Sequence, residues 1–425
     1  MKFSFVNKKF KQKLYSFKDY FVYGFGQVIN LTAPLLVAPR IIQICGINNW
    51  GQLSIAISVF TVLSILIDFG SNIVGVKEIS LKRDNAKDTQ EYLKKTYNLR
   101  VLLLLFLLLI LIPTTYLLRL NFYVYLLGGF FLIGQTINPI WYFQGIQDFQ
   151  SINKIIFLSK TIYILLVFVC ITKVDDYKYL LFILGLTNTM VYIYFYKKIE
   201  LFRTIKIFTL NKKNILETIK NEYSVVVSNL SISIYINAPL IIIGIVSNSY
   251  YAGVYKIGEM ILTIYRSYLS VFFNVSYPKF CEKNNKNIQI GKAFLLKSNV
   301  INIFILLTSI IFINCIYYFL IEKISFNTDI KTALKFALLF LPISVIVAIN
   351  IPFYQSLLFD NKIKKISYIT LTNALIMVFL CYFLTKNYNI RGSVFSVYIC
   401  ETFTTSSIVL YYYLNFKKNE RLVLK

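Results

Sequence analysis

Apolar residues along this chain come in runs of about twenty, separated by short polar segments that hold most of the lysines and arginines. A helix needs roughly 20 predominantly apolar residues to cross a hydrocarbon core about 30 Å thick. Runs of that length predict spans near 20–42, 50–74, 98–118, 122–142, 155–173, 178–196, 224–246, 252–277, 297–320, 334–357, 366–386 and 391–415. Two long apolar runs are each read as two spans, split at Gly46–Trp50 and at Ser247–Tyr251. Ahead of the first span, Phe3, Phe10, Leu14, Phe17 and Phe21 recur mostly at three- and four-residue steps, with lysines filling the other face. That spacing predicts an amphipathic, interfacial helix over 1–19 leading into the bundle.

The placement of charge tests the count. With the N-terminus in the cytoplasm, the segments that fall inside carry 32 Lys and Arg and those outside carry 6. Such a bias sets orientation, so twelve spans with both termini cytoplasmic is the expected topology. Composition agrees: 57% of the 425 residues are hydrophobic and the mean hydropathy is +0.63. Only 15% are charged, against about a quarter in soluble domains. The net charge of +26 lies in short loops between spans, which is a membrane footprint, and no nucleic-acid partner is expected.

A weak internal repeat divides the chain. Ala33–Leu35 and Ala238–Leu240 are both Ala-Pro-Leu, each followed by a polar turn and a glycine opening the next helix, Gly51 and Gly253. The two glycines are 202 residues apart. The expected organisation is an N-lobe of six spans (20–196), a basic cytoplasmic linker (197–223), a C-lobe of six spans (224–415) and a cytoplasmic tail (416–425). Two lobes of like orientation are a common transporter arrangement. The fold class is therefore an all-α integral membrane protein of about twelve helices in two lobes.

Charges inside spans are expensive and mark polar paths by default. In the eighth span Lys256, Glu259, Thr263, Arg266 and Ser270 fall at helical spacing on one stripe. Lys256 and Glu259 can pair at i,i+3, which leaves Arg266 without a local partner and suits it to an anionic substrate. Subtracting 202 maps this stripe onto Ser54, Thr61 and Asp68, which with Ser58 share a face of the second span. Two such stripes imply a central cavity between the lobes. Gln27, Asn30 and Pro34 line one side of the first span, where Pro34 should introduce a kink. Glu401 sits about ten residues into the last span, near midplane, and with Asp68 is a candidate for ion coupling. Arg40 and Lys160 are read as snorkelling to the interfaces.

Several chemistries find no residues to carry them. With no histidine, the commonest metal ligand and the usual general base at neutral pH are missing. The six cysteines are scattered, with no CxxC, and read as small buried hydrophobes. No GxxxxGK[ST] occurs, so no nucleotide motor is expected. The outer loops are short, and the acidic pair Asp175-Asp176 reads as a helix cap. No catalytic residue, metal or cofactor is expected, and the chain is not read as an enzyme.

Three stretches resemble the polysaccharide and O-antigen flippases (Wzx type) of the multidrug/oligosaccharidyl-lipid/polysaccharide exporter superfamily. They are GINNWGQLSIAIS with IDFGSNIVGVKEISLKRD, PIWYFQGIQDF at Pro139–Phe149, and GVYKIGEMILTIYRSYLSVFFNVSYPKF. In the second, Trp141, Phe143, Gln144 and Gly145 match the family pattern; in the third, Gly258 stands where alanine is usual. The likeness runs from about 25 to 365, and the last two spans match by topology only. It implies a two-lobed, MATE-like bundle in the bacterial inner membrane that moves an undecaprenyl-diphosphate-linked oligosaccharide outward by alternating access. Membrane lipids, and a polymerase and chain-length regulator of the same pathway, are the partners it implies. A drug/cation antiporter of the same superfamily is the nearest alternative, and a membrane polysaccharide polymerase a more distant one.

Overall fold

The computed structural model describes residues 2–117, 120–197, 212–321, 328–360 and 362–423, with side chains from 28 to 414 inside those ranges except 212–214 and 320–321. The apolar and basic faces expected of the first nineteen residues, the side chain of Gln27, residues 198–211 of the expected linker and the last two residues of the tail lie outside this description. The backbone is helical from Lys2. No strand occurs among the described residues.

Among those residues, nine helical stretches are long and apolar enough to cross a membrane. Val28–Asp68 leaves helical geometry at Gly46 (φ 83°, ψ 161°), a left-handed φ that glycine adopts without steric cost. Ile363–Leu414 does so at Asn389 (φ 49°), one of the few other residues that tolerates this region. Each of these stretches is two spans. The helix Ser249–Lys286 is less apolar than the nine, yet its 38 residues contain the expected eighth span. Counted this way, the helices are the twelve read from the sequence. The Ser247–Tyr251 split is also present: the Asn248 side chain caps the new helix by accepting the Tyr251 N–H at 3.0 Å. Pro34 and Pro39 stay inside continuous helix, and the chain breaks at Gly46 instead.

The helices form two compact units. The first comprises Met1–Gly46 and Val59–Leu230, the second Ile47–Ser58 and Ser231–Lys425. These differ from the expected lobes in two places, for identifiable reasons. Residues 212–223 are helical rather than a loop, and the buried Glu222 accepts a hydrogen bond from the Tyr92 hydroxyl at 3.0 Å. That docks this stretch on the first unit. Residues 47–58 join the second unit because Gly51 and Gly253, the two glycines aligned by the repeat, let the backbones touch. A methyl group on Gly51 would strike the Ser249 carbonyl and the Gly253 nitrogen, and one on Gly253 would strike the Ile47 carbonyl. Small residues at such crossings permit tight packing where lipid supplies no hydrophobic drive.

The core of the first unit is built on the PIWYFQG segment. Trp141, Tyr142 and Phe143 are buried with Tyr97, Ile152, Ile156 and Tyr192. Gly75 admits the Trp141 ring, and Gly145 lies against Ile79, so Trp141, Phe143 and Gly145 of the matched motif are packing residues. In the second unit Tyr265, Leu269, Leu306 and Leu341 form the core. Large apolar side chains such as Leu109, Tyr116, Phe304 and Phe379 stand exposed, as expected where the outer surface meets lipid.

Candidate functional site

The first unit contains a polar knot around Arg100. The helix that follows Gly46 ends at Asp68, and Phe69 (φ 43°) and Gly70 (φ 80°) turn the chain in left-handed geometry. This turn presents Ser71 and Asn72 to the Asp68 side. Arg100, fully buried on the Ala86–Leu117 helix, donates from Nη2 to Asp68 Oδ1 at 2.6 Å and to Ser71 Oγ at 2.9 Å. Its Nη1 donates to the carbonyls of Thr136 (3.4 Å) and Asn138 (3.1 Å). The guanidinium also lies against the rings of Tyr97 and Trp141. Asp68 further accepts the Asn72 N–H at 3.2 Å. Asp68 is thus a committed ion-pair partner rather than a solvated carboxylate at a helix end. Arg100 escaped notice in the sequence because no contact between Asp68 and a residue 32 positions on can be read from spacing.

A few ångströms of helix register change the reading of Lys160. Asp148 caps its helix by accepting the Ser151 N–H at 3.0 Å, so the helix runs Phe149–Cys170 and begins six residues before the expected span. Lys160 falls at the middle of those 22 residues rather than near the start of the helix. It lines a cavity of about 210 Å³ together with Asn30, Ser159, Asn188, Tyr192 and three isoleucines. Asn30 is the one expected site residue in this cavity; Ser159, Asn188 and Tyr192 were not singled out. Asn188 is an amide in the middle of an otherwise largely apolar helix, a signal that was available.

In the second unit, the stripe on Ser249–Lys286 is present and its charges are paired. Lys256 Nζ and Glu259 Oε2 are 2.5 Å apart. Arg266 Nη2 donates to Glu401 Oε1 at 2.8 Å, and its guanidinium lies 5.9 Å from the Tyr235 ring centroid. Arg266 is therefore not the unpartnered cation expected, nor Glu401 a lone midplane carboxylate. The partner lies 135 positions away. Thr263 spends its hydroxyl on the Glu259 carbonyl at 2.8 Å, while Ser270 is exposed. On the second span, Ser54 and Ser58 are buried and Thr61 is half-buried, so that stripe is mostly packed. Arg40 lies against the Phe168 ring at 5.7 Å. Asp176 caps the turn at 172–176, accepting the backbone N–H groups of Thr172 and Lys173 at 2.9 and 2.7 Å. No group of three or more metal-ligating side chains occurs among the described residues.

Comparison with known proteins supplies what geometry alone does not. The family model described as "Polysaccharide biosynthesis protein" matches residues 16–284. A curated relative in Escherichia coli (strain K12), named "Putative O-antigen transporter", is 21% identical over 399 residues, covering 93% of this chain and 95% of that protein. Among solved structures, an inward-facing multidrug resistance MATE family transporter of the MOP superfamily superposes with a TM-score of 0.68 at 13% identity, covering 93% of this chain and 96% of that one. The lipid II flippase MurJ in its inward closed conformation gives 0.59 at 13% identity, covering 91% and 87%. Likeness at that identity establishes the fold, which is that of MATE-like transporters, as the sequence motifs implied.

Proposed function

Because this chain belongs to the polysaccharide biosynthesis protein family, as the match over residues 16–284 establishes, we propose that it is a flippase for undecaprenyl-diphosphate-linked oligosaccharides. It is a multi-pass membrane protein of the MOP transporter type. In our reading it sits in the bacterial inner membrane with both termini in the cytoplasm. It carries its cargo outward by alternating access, for polymerisation by enzymes of the same pathway.

The observation that carries this reading is the family match together with charges kept inside spans on a face with no catalytic constellation. Lys256, Glu259, Thr263, Arg266 and Ser270 share one helix face, and we assign them, with Thr61 and Asn30, to contact with cargo. Arg266 meets an anionic group only when Glu401 lets go of it. Asp68 and Glu401 could serve ion coupling only by releasing their arginines, and this counts against the antiporter alternative. The test is transport. Purified protein in vesicles should accelerate inner-to-outer movement of a fluorescent polyprenyl-diphosphate saccharide over empty vesicles. It should also restore surface polysaccharide to a strain that depends on it. Equal movement in both vesicle populations, or export of cationic dyes in place of the saccharide, would reject the reading.

A further inference from the structure

We propose that the cavity around Lys160 is a phosphate subsite of the first compact unit, holding one phosphate of a polyprenyl-diphosphate group. The inference rests on the flippase reading for the source of that phosphate, while the chemistry of the site stands on its own residues.

Lys160 is at the midpoint of the Phe149–Cys170 helix, roughly 16 Å of helix from either end at 1.5 Å per residue. A cation drawn inside a span is retained against a desolvation cost only where something compensates it. The other cations drawn into polar clusters of these helices have their compensation in the fold: Arg100 holds Asp68, Lys256 holds Glu259, and Arg266 holds Glu401. Lys160 has no ion pair or hydrogen bond among the described residues. Its compensation must come from outside the chain.

The lining says what kind of group that is. Asn30 and Asn188 offer amide N–H groups and Tyr192 a hydroxyl, while the Ser159 hydroxyl donates to the Ile156 carbonyl at 3.1 Å. No carboxylate lines the cavity, so nothing in it attracts a cation. A compact anion with several acceptor oxygens fits, and lysine binds phosphate as a point charge. At about 210 Å³ the space equals roughly seven waters of liquid. It lies below the ~300–1,000 Å³ of sites that enclose a drug-sized molecule. That is room for a phosphate and its bridging oxygen, not for an oligosaccharide. The three isoleucines of the lining give the first isoprenoid carbons an apolar wall.

The full chain in phosphatidylcholine nanodiscs can be titrated with geranylgeranyl diphosphate, with geranylgeraniol as the probe lacking phosphate. Tryptophan fluorescence serves as readout, Trp141 adjoining the lining residue Ile140. The diphosphate should bind the wild type, and its Kd should rise about tenfold or more in Lys160→Met, as loss of a charged hydrogen bond implies. Lys160→Arg should stay within about threefold, since the charge is kept. Geranylgeraniol should bind both forms equally weakly. Asn188→Ala leaves every charge in place and should weaken the diphosphate several-fold, which keeps the test open should Lys160→Met fold poorly. An unchanged Kd in Lys160→Met and Asn188→Ala overturns the subsite even if the wild type flips lipid-linked saccharide. Displacement of the probe by phosphatidylglycerol at equal concentration would assign the site to bilayer headgroups and overturn the cargo assignment. Diphosphate binding that depends on Lys160, in a protein that moves no lipid-linked saccharide, would keep the subsite and sink the flippase reading.

Discussion

Removing one member of the Arg266–Glu401 pair should cost more stability than removing both. The side chains retain 23% and 11% of their exposure and meet at 2.8 Å. At an effective dielectric of 20 their attraction is about 6 kcal/mol before desolvation. Taking both ions out of water offsets most of that, so the intact pair contributes little net stability. A single neutralisation is different, because the surviving charge stays in place with nothing to balance it. Arg266→Met and Glu401→Gln should therefore each cost about 3 kcal/mol, the low end for buried pairs given the residual exposure of Arg266. The double variant leaves no unbalanced charge and should cost about 1 kcal/mol or less, so the two single costs should fall far short of adding. Unfolding of the purified protein by SDS titration in mixed micelles reads all four forms. Additivity of the two single costs to within about 0.5 kcal/mol would show that the pair is not energetically coupled, and the reasoning would fail. The exchanged pair Arg266→Glu with Glu401→Arg separates packing from transport. It should recover stability, yet surface polysaccharide should stay low if Arg266 touches cargo. Full recovery of both would make the pair purely structural.

Arg100→Lys should destabilise the first unit by about 3 kcal/mol or more in the same titration, because an ammonium cannot reproduce the forked contacts to Asp68, Ser71, Thr136 and Asn138. Asp68→Asn should cost at least as much, because it leaves the fully buried Arg100 charge unbalanced. Arg40→Ala should leave surface polysaccharide near wild type at matched protein level, since Arg40 has only a ring contact to lose, while Arg266→Ala should reduce it sharply. Single cysteines at 263 and 270 on a cysteine-free background should react with a charged thiol reagent and one at 264 should not. Ile264 is exposed, but on our reading to lipid, and equal labelling of all three would remove the polar-face assignment. Gly51→Val should lower folded yield well below that of Gly129→Val, because an added Cβ at 51 meets backbone and one at 129 meets only the end of Leu108.

The number of helices was legible because the bilayer imposes one length on every span, and charge bias supplied an independent check. The breaks were legible too, since Gly46 and Asn389 belong to the few residue types that accept left-handed geometry. Partnerships were not. A local pair such as Lys256–Glu259 can be read from an i,i+3 spacing, but Arg266 and Glu401 meet across 135 positions and Arg100 and Asp68 across 32. Spacing holds no information about either. A shift of six residues in where a helix starts was enough to move Lys160 from an apparent end to a midpoint. Boundary error of that size is ordinary for sequence reading, and here it hid a charge with no partner. The matched motif at Pro139–Phe149 marks the family without marking a site, its Trp141, Tyr142 and Phe143 being buried in the core of the first unit.

The pattern of paired and unpaired charge bears on how an anion could be carried at all. A row of free arginines and lysines through the spans would bind a diphosphate tightly and keep it, and passage demands sites weak enough to leave as well as favourable enough to enter. Arg100, with Asp68, Ser71, two carbonyls and two rings around it, is satisfied within the fold and offers a passing anion little. Arg266 has a single carboxylate and one ring, so an anion can compete for it while Glu401 supplies the force that later expels that anion. Lys160 has no carboxylate competitor among the described residues and, on the reading proposed above, is the first point of capture. On that reading, graded occupancy of three in-span cations, none for Lys160, one carboxylate for Arg266 and a full shell for Arg100, assigns capture, release and rigidity to the same residue chemistry. It follows that Glu401→Gln, by removing the competitor at Arg266, should tighten diphosphate binding even as it slows export. Weaker binding in that variant would place the cargo away from Arg266.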